Sequence, residues 1–138
     1  MATAPVELFH NDYAIYYRDA DHRAVELRWS PGTISEETFR AEITRLAELL
    51  EQERVPNALI DVTQFSHDSA PDFEAWREAN IIPRYNSAGV EKFAFLLPPG
   101  VPQIVENGTM PAREGVANFP TGYFGTRERV FSWFAEQQ

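Results

Sequence analysis

The sequence predicts a mixed α/β fold: a sheet of about five strands, antiparallel near the N-terminus and parallel later, with about four helices packed against it. Three observations carry this. Apolar and polar residues alternate with period two through much of the first thirty positions. Between Phe39 and Leu50 the apolar positions recur at steps of three and four. Ala58 to Val62 and Lys92 to Leu97 are short, nearly continuous apolar runs. Alternation marks strands with one wet face, the three-to-four step marks an amphipathic helix, and unbroken apolar runs mark strands covered on both faces.

In chain order, a short strand is expected around Val6 to Phe9. Tyr13, Ile15 and Tyr17 then share one face, and after the polar stretch Asp19 to His22 the set Val25, Leu27, Trp29 alternates with Glu26, Arg28 and Ser30. This is a pair of half-buried antiparallel strands. Ser30-Pro31-Gly32 stops the sheet, and Ser35 or Thr33 can cap a helix whose first turn carries Glu36 and Glu37, favourable against the helix dipole. Phe39, Ile43, Leu46 and Leu50 form its packing stripe, while Glu42, Arg45 and Glu48 lie off it. Pro56-Asn57 ends that helix before the buried strand 58–62.

A second helix is expected from about Pro71 to Tyr85, with Phe73, Trp76 and Ile81 among its apolar positions and Pro83 kinking or ending it. The buried strand Lys92 to Leu97 is stopped by Pro98-Pro99-Gly100. Residues 98–125 hold five Pro and five Gly, and within them a short helix around Val101 to Glu106 and a strand near Phe119 to Phe124 are expected. Thr126 caps a closing helix with Val130, Phe131 and Phe134 near one stripe. With no internal repeat or low-complexity tract, residues 1–138 read as one domain, and 43% hydrophobic content with ten Phe, five Tyr and three Trp suffices for its core.

The formal charge of −9, from 21 acidic and 12 basic side chains, repels phosphate backbones and anionic lipid, so no nucleic-acid partner is expected. No apolar run approaches the roughly 20 residues of a membrane-spanning helix, so no membrane insertion is expected. There is no Cys, which removes disulfides, thiolate metal ligands and thiol nucleophiles together and fits a reducing compartment. No secretory leader is recognisable at Met1 to Pro5, and a cytoplasmic location is the expectation. Asn107-Gly108-Thr109 matches a glycosylation triplet and reads more simply as a turn.

The order of elements, together with Ala58-Leu59-Ile60-Asp61-Val62, Lys92-Phe93-Ala94-Phe95-Leu96-Leu97-Pro98 and the segment Phe124 to Phe134, resembles the SpoIIAA-like group of STAS/SEC14-type domains over nearly the whole chain. The resemblance implies a fold used for binding proteins, nucleotides or lipids without chemistry. STAS regulators of the anti-anti-sigma type carry Asp-Ser-Ser-Gly at the start of the second helix and are phosphorylated on its second Ser. This chain has Asp68-Ser69-Ala70-Pro71 there, with Ala70 at the phosphoacceptor position, so the resemblance gives no support for that switch; Ser69 is the nearby hydroxyl.

The candidate binding residues are Asp61, Ser66, His67, Asp68, Ser69, Arg77 and Arg84. The loop 63–69 follows the end of a buried strand and leads to a helix, where α/β folds expose amide donors to ligands; the plainer reading is that Asp68 or Ser69 caps that helix. Asp61 is a lone acid in an apolar strand and must be paired or reached by solvent, for instance by gripping amides of the next loop. His67 beside Asp68 could act as a base, but no nucleophile elbow accompanies it, and an exposed loop histidine is the plainer expectation. Arg77, Arg84 and Tyr85 could hold a carboxylate or phosphate, against ordinary pairing with Glu74 and Glu78. His10, His22 and His67 are scattered, so no metal is expected, and no motif implies a cofactor. Gly122-x-x-Gly125 lacks the Lys and spacing of a nucleotide loop and reads as a turn.

These readings point to a non-enzymatic STAS-like regulatory or interaction module that binds a protein partner or its own copy through the loop 63–69. The alternative is a SEC14-like carrier of a small apolar ligand in a pocket under the segment 98–125. A third reading, a small enzyme, requires Asp61, His67 and Asp68 to converge in one cleft.

Overall fold

The computed structural model describes residues 4–98, 109–110 and 116–136. Its elements are β1 (Val6–His10), β2 (Ala14–Asp19), β3 (Ala24–Trp29), α1 (Glu36–Glu53), β4 (Asn57–Asp61), α2 (Phe73–Asn80), α3 (Ile82–Ala88), β5 (Lys92–Leu96), β6 (Thr109–Met110), β7 (Thr121–Phe124) and α4 (Arg127–Ala135). One mixed sheet has the order β1-β2-β3-β4-β5-β7-β6. The β1-β2 and β2-β3 pairs are antiparallel, β3-β4, β4-β5 and β5-β7 are parallel, and the two-residue β6 runs antiparallel to β7. The change from antiparallel hairpins to parallel strands falls at β3, where α1 supplies the crossover a parallel pair requires.

Alternation along each strand sorts side chains into two cores. Val25, Leu27 and Trp29 of β3, Ala58 and Ile60 of β4, and Phe93 of β5 pack with Ile43, Leu46 and Leu50 of α1 and with Ile82 and Tyr85 of α3. Ala24, Leu59, Ala94, Leu96 and Phe124 point the other way and pack against Val130 and Phe134 of α4. Helices therefore cover both faces of the parallel strands, which explains why β4 and β5 read as continuous apolar runs.

Ser35, not Thr33, caps α1: its side chain accepts from the Thr38 amide, with Glu36 and Glu37 in the first turn. Thr126 caps α4 in the same way through the Arg129 amide. The second helix expected over 71–85 is two helices. A proline inside a continuous helix loses one hydrogen bond and clashes with the carbonyl four residues back. The chain avoids this by breaking at Ile81, so that Pro83 falls in the first turn of α3, where no amide partner is needed. The sheet has more strands than the five or so expected because β1 forms fully and the two-residue β6 adds to the far edge. The helix expected over Val101 to Glu106 lies outside the described residues. Among the described residues, no helix is long and apolar enough to cross a membrane.

Candidate functional site

β3 and β4 carry two buried acids on the same face of the sheet, one in the middle of β3 and one at the C-terminal end of β4. Glu26 and Asp61 are 4% and 5% exposed. Arg127, the first residue of α4, reaches back across 101 positions: one guanidinium nitrogen donates to Glu26 Oε1 at 2.9 Å, and the other donates to Glu26 Oε2 and to Asp61 Oδ2, the latter at 2.7 Å. Arg28 Nε adds a bond to Glu26 at 3.0 Å. Two carboxylates and two guanidinia thus balance, as burial of charge requires. The Glu26 bonds hold the Arg127 pKa above its usual range, against the lowering effect of burial.

The remaining Asp61 oxygen accepts from the Thr63 amide at 2.9 Å and the Thr63 hydroxyl at 2.6 Å. The lone acid is thus paired with arginine and also grips the loop that follows it. This cluster anchors α4 and the loop start, and every carboxylate oxygen in it has a donor.

The loop 63–69 itself is tied to α1. Glu36 Oε1 lies 2.9 Å from His67 Nε2 and accepts from the Ala70 amide at 3.0 Å, while Glu36 Oε2 accepts from Arg40 Nε at 2.7 Å. Arg40 reaches on to Asp72 Oδ1 at 2.8 Å. The Arg40 bond, then the His67 bond, hold the Glu36 carboxyl down at about 2. The His67 ring stacks on Phe39 with centroids 4.2 Å apart, and Phe65 stacks on Trp29 at 4.4 Å.

His67 is therefore no exposed loop histidine: its side chain is 10% exposed, because the aromatic stack and Glu36 draw it inward. Asp68 and Ser69 do not cap α2. The helix starts later, at Phe73, behind Asp72, whose side chain makes no cap bond and is taken by Arg40 instead. Ser66, Asp68 and Ser69 are exposed. No hydrogen bond joins Asp61, His67 and Asp68 among the described residues; Asp61 belongs to the Arg127 cluster, apart from His67 and Asp68. Among the described residues, no group of three or more His, Asp or Glu is placed to hold a metal ion.

Arg77 and Arg84 also part company. Arg84 makes a two-pronged bond to Glu51, which pins α3 to α1 rather than pairing with Glu74 or Glu78. Arg77 makes one long contact, 3.4 Å, to Glu74 and lines a cleft of about 400 Å³ between the sheet and α2. The cleft floor is Phe93 and Phe95 of β5 with Thr121 and Tyr123 of β7; α1 contributes Phe39 and Ile43, α3 contributes Ile82 and Tyr85, and residues 116–119 close one side. Phe95 and Tyr123 lie side by side with centroids 5.3 Å apart and planes 10° from parallel. Both are half-buried although they sit on interior strands. Glu74, Arg77 and Glu78, one turn of α2, form the rim.

The sequence singled out Arg77 and Tyr85 of this cleft but not its floor. The signal was present as Phe95 and Tyr123, aromatics on the wall-facing positions of their strands, yet side-chain type alone does not distinguish an aromatic that packs from one left half open.

The fold and site define an α/β domain with a charge-locked C-terminal helix and an aromatic cleft. No family model, no curated protein and no solved structure matches the chain.

Proposed function

We propose that this protein is a non-enzymatic binding module whose site is the aromatic cleft beneath α2, taking a small, largely apolar ligand in the manner of SEC14-type carriers. The observation that carries this reading is the cleft itself: about 400 Å³ lined by aromatic and aliphatic side chains with a few polar groups at its edge, which is the usual composition and size of a small-molecule site. A cytoplasmic setting belongs to the same reading. The regulatory reading of a STAS-like module is favoured by a different observation, the exposed Ser66, Asp68 and Ser69 on a loop held in place by Glu36, a rigid surface suited to a protein partner or a second copy.

The test combines native mass spectrometry of the purified protein, beside the same sample denatured, with titration of the neutral fluorescent probe phenylnaphthylamine. We expect an adduct lost on denaturation, or saturable probe binding, and loss of either in Ala117→Trp, which fills the cleft from a half-buried loop position. A protein that carries no adduct and binds no probe is not a carrier, and the loop 63–69 then becomes the surface to test by partner capture with Asp68→Ala and Ser69→Ala.

A further inference from the structure

The cleft has a polarity, and it resides in two residues. Tyr85 is 1% exposed, lines the cleft and packs its ring against Phe93 and Phe119. Among the described residues its hydroxyl makes no hydrogen bond, although Tyr16, the other fully buried tyrosine, donates to the Glu42 carbonyl at 2.9 Å and to its carboxylate at 2.7 Å. A phenol left without a protein partner at a cleft wall is open to a partner from whatever occupies the cleft. Arg77 lines the same cleft from α2 with a side chain 23% exposed, against 73% for Glu74, its neighbour one turn away at 3.4 Å. The cation is thus more covered than the rim carboxylate that accompanies it. Burial pushes the Tyr85 phenol above its usual range, and the Arg77 and Arg84 guanidinia act against that rise. The half-buried Phe95 and Tyr123 give the floor a flat, aromatic surface with nearly parallel rings.

We infer that the ligand is a flat aromatic acid, its ring on Phe95 and Tyr123 and its anionic group held by the Arg77 guanidinium and the Tyr85 hydroxyl. This rests on the carrier reading above and adds the chemical class. The phenol donates a hydrogen bond to the anion, and the guanidinium adds charge-assisted donors that suit a carboxylate in particular. The surrounding acidic surface makes the preference discriminating, since a protein of charge −9 repels anions everywhere except where donors converge.

The experiment measures competition against phenylnaphthylamine, in the full chain, by three probes of the same ring system: naphthoate, the uncharged naphthylmethanol, and the cationic naphthylmethylamine. We expect naphthoate to compete about tenfold more strongly than the alcohol, the scale of a charge-assisted hydrogen bond, and the amine to be weakest. Tyr85→Phe and Arg77→Gln should each remove most of that preference, read as the ratio of acid to alcohol competition within the same variant so that any change in phenylnaphthylamine affinity cancels. Equal competition by acid and alcohol overturns the anion assignment and leaves the carrier reading standing. Preference for the amine overturns it too, and assigns the cleft's charge to Glu74 and Glu78. Failure of phenylnaphthylamine itself to bind overturns the carrier reading and this inference together. Cooperative urea unfolding of each variant certifies its fold.

Discussion

Lys92 is the chain's single lysine, and it stands at the start of a strand with only 5% of its surface exposed. On the same face of the sheet as Leu59 and Leu96, it lies beneath the end of α4. Its ammonium donates to the Trp133 carbonyl at 2.6 Å and to the Glu136 carbonyl, at a helix end where carbonyls run short of amide partners; the Trp133 carbonyl also accepts from the Glu136 amide at 3.2 Å. A positive charge there also complements the negative end of the helix dipole. A compact ammonium with three donors can satisfy two nearly coincident carbonyls, whereas a planar guanidinium is larger and points its donors along a fixed fork. Lys92→Met keeps the apolar stem and deletes both charge-assisted bonds, leaving the Trp133 carbonyl with the Glu136 amide alone. The expected loss is about 2 kcal/mol in urea unfolding, with Lys92→Arg failing to restore it. A Lys92→Met protein as stable as the parent would mean that the helix end is held by apolar contacts alone.

At the scale of elements, α4 is fastened at both ends, by Arg127 on Glu26 and Asp61 and by Lys92 on its last carbonyls, and between them it lies close on β7 at Gly122. A methyl group added there would come within 2.5 Å of Phe124 Cε2 and 3.2 Å of Trp133 Cζ3. Glycine is needed at this point for space. Gly122→Ala must push aside the Phe124 ring, which packs against Trp133 with centroids 5.3 Å apart. It is expected to cost about 1 to 3 kcal/mol, the range of an overpacked core, read as a lower urea midpoint with an unchanged slope; an unchanged midpoint would show that the ring yields without loss.

The elements that were legible in the sequence are those whose signal is local. The helix α1 announced itself through the Phe39, Ile43, Leu46, Leu50 stripe and a capping serine, and α4 through Thr126 and its apolar positions. The break at Ile81 was less legible, because Pro83 is compatible with either a kink or a fresh start. For Asp61 the grip on the next loop and the need for a counter-charge followed from burial, but the source of that charge, Arg127, is 66 positions away and was not legible. The cleft escaped for the same reason, being assembled from five separate stretches of chain.

At the scale of the whole molecule, the charges that bind one layer to another set the response to acid. Glu36 joins α1 to the loop through His67 and Ala70, Glu51 joins α1 to α3 through Arg84, and Asp72 joins α2 to α1 through Arg40. Hydrogen bonding to those arginines, first among the causes, lowers the pKa of all three carboxyls, with Glu36 at about 2. A carboxyl whose pKa is lower in the folded than in the unfolded chain binds fewer protons when folded. Its stabilisation is therefore complete above the unfolded pKa, near 4.5 for Glu36, and is withdrawn as pH falls through the folded value, near 2. Acid should accordingly loosen the layer of α1, α2 and α3, the same layer that walls the cleft.

Glu36→Gln isolates one of these contributions, because glutamine keeps the shape and an acceptor for the Ala70 amide but does not titrate. Urea unfolding followed by tryptophan fluorescence, from neutral pH down to about 2, should show the variant less stable than the parent at neutral pH. The gap should close progressively below about 4.5 and be small near 2, because there about half of the parent's Glu36 is protonated when folded and nearly all of it when unfolded. A gap that stays constant across that range would mean that Glu36 acts through shape and neutral hydrogen bonding rather than charge, and that the acid response of the fold originates elsewhere.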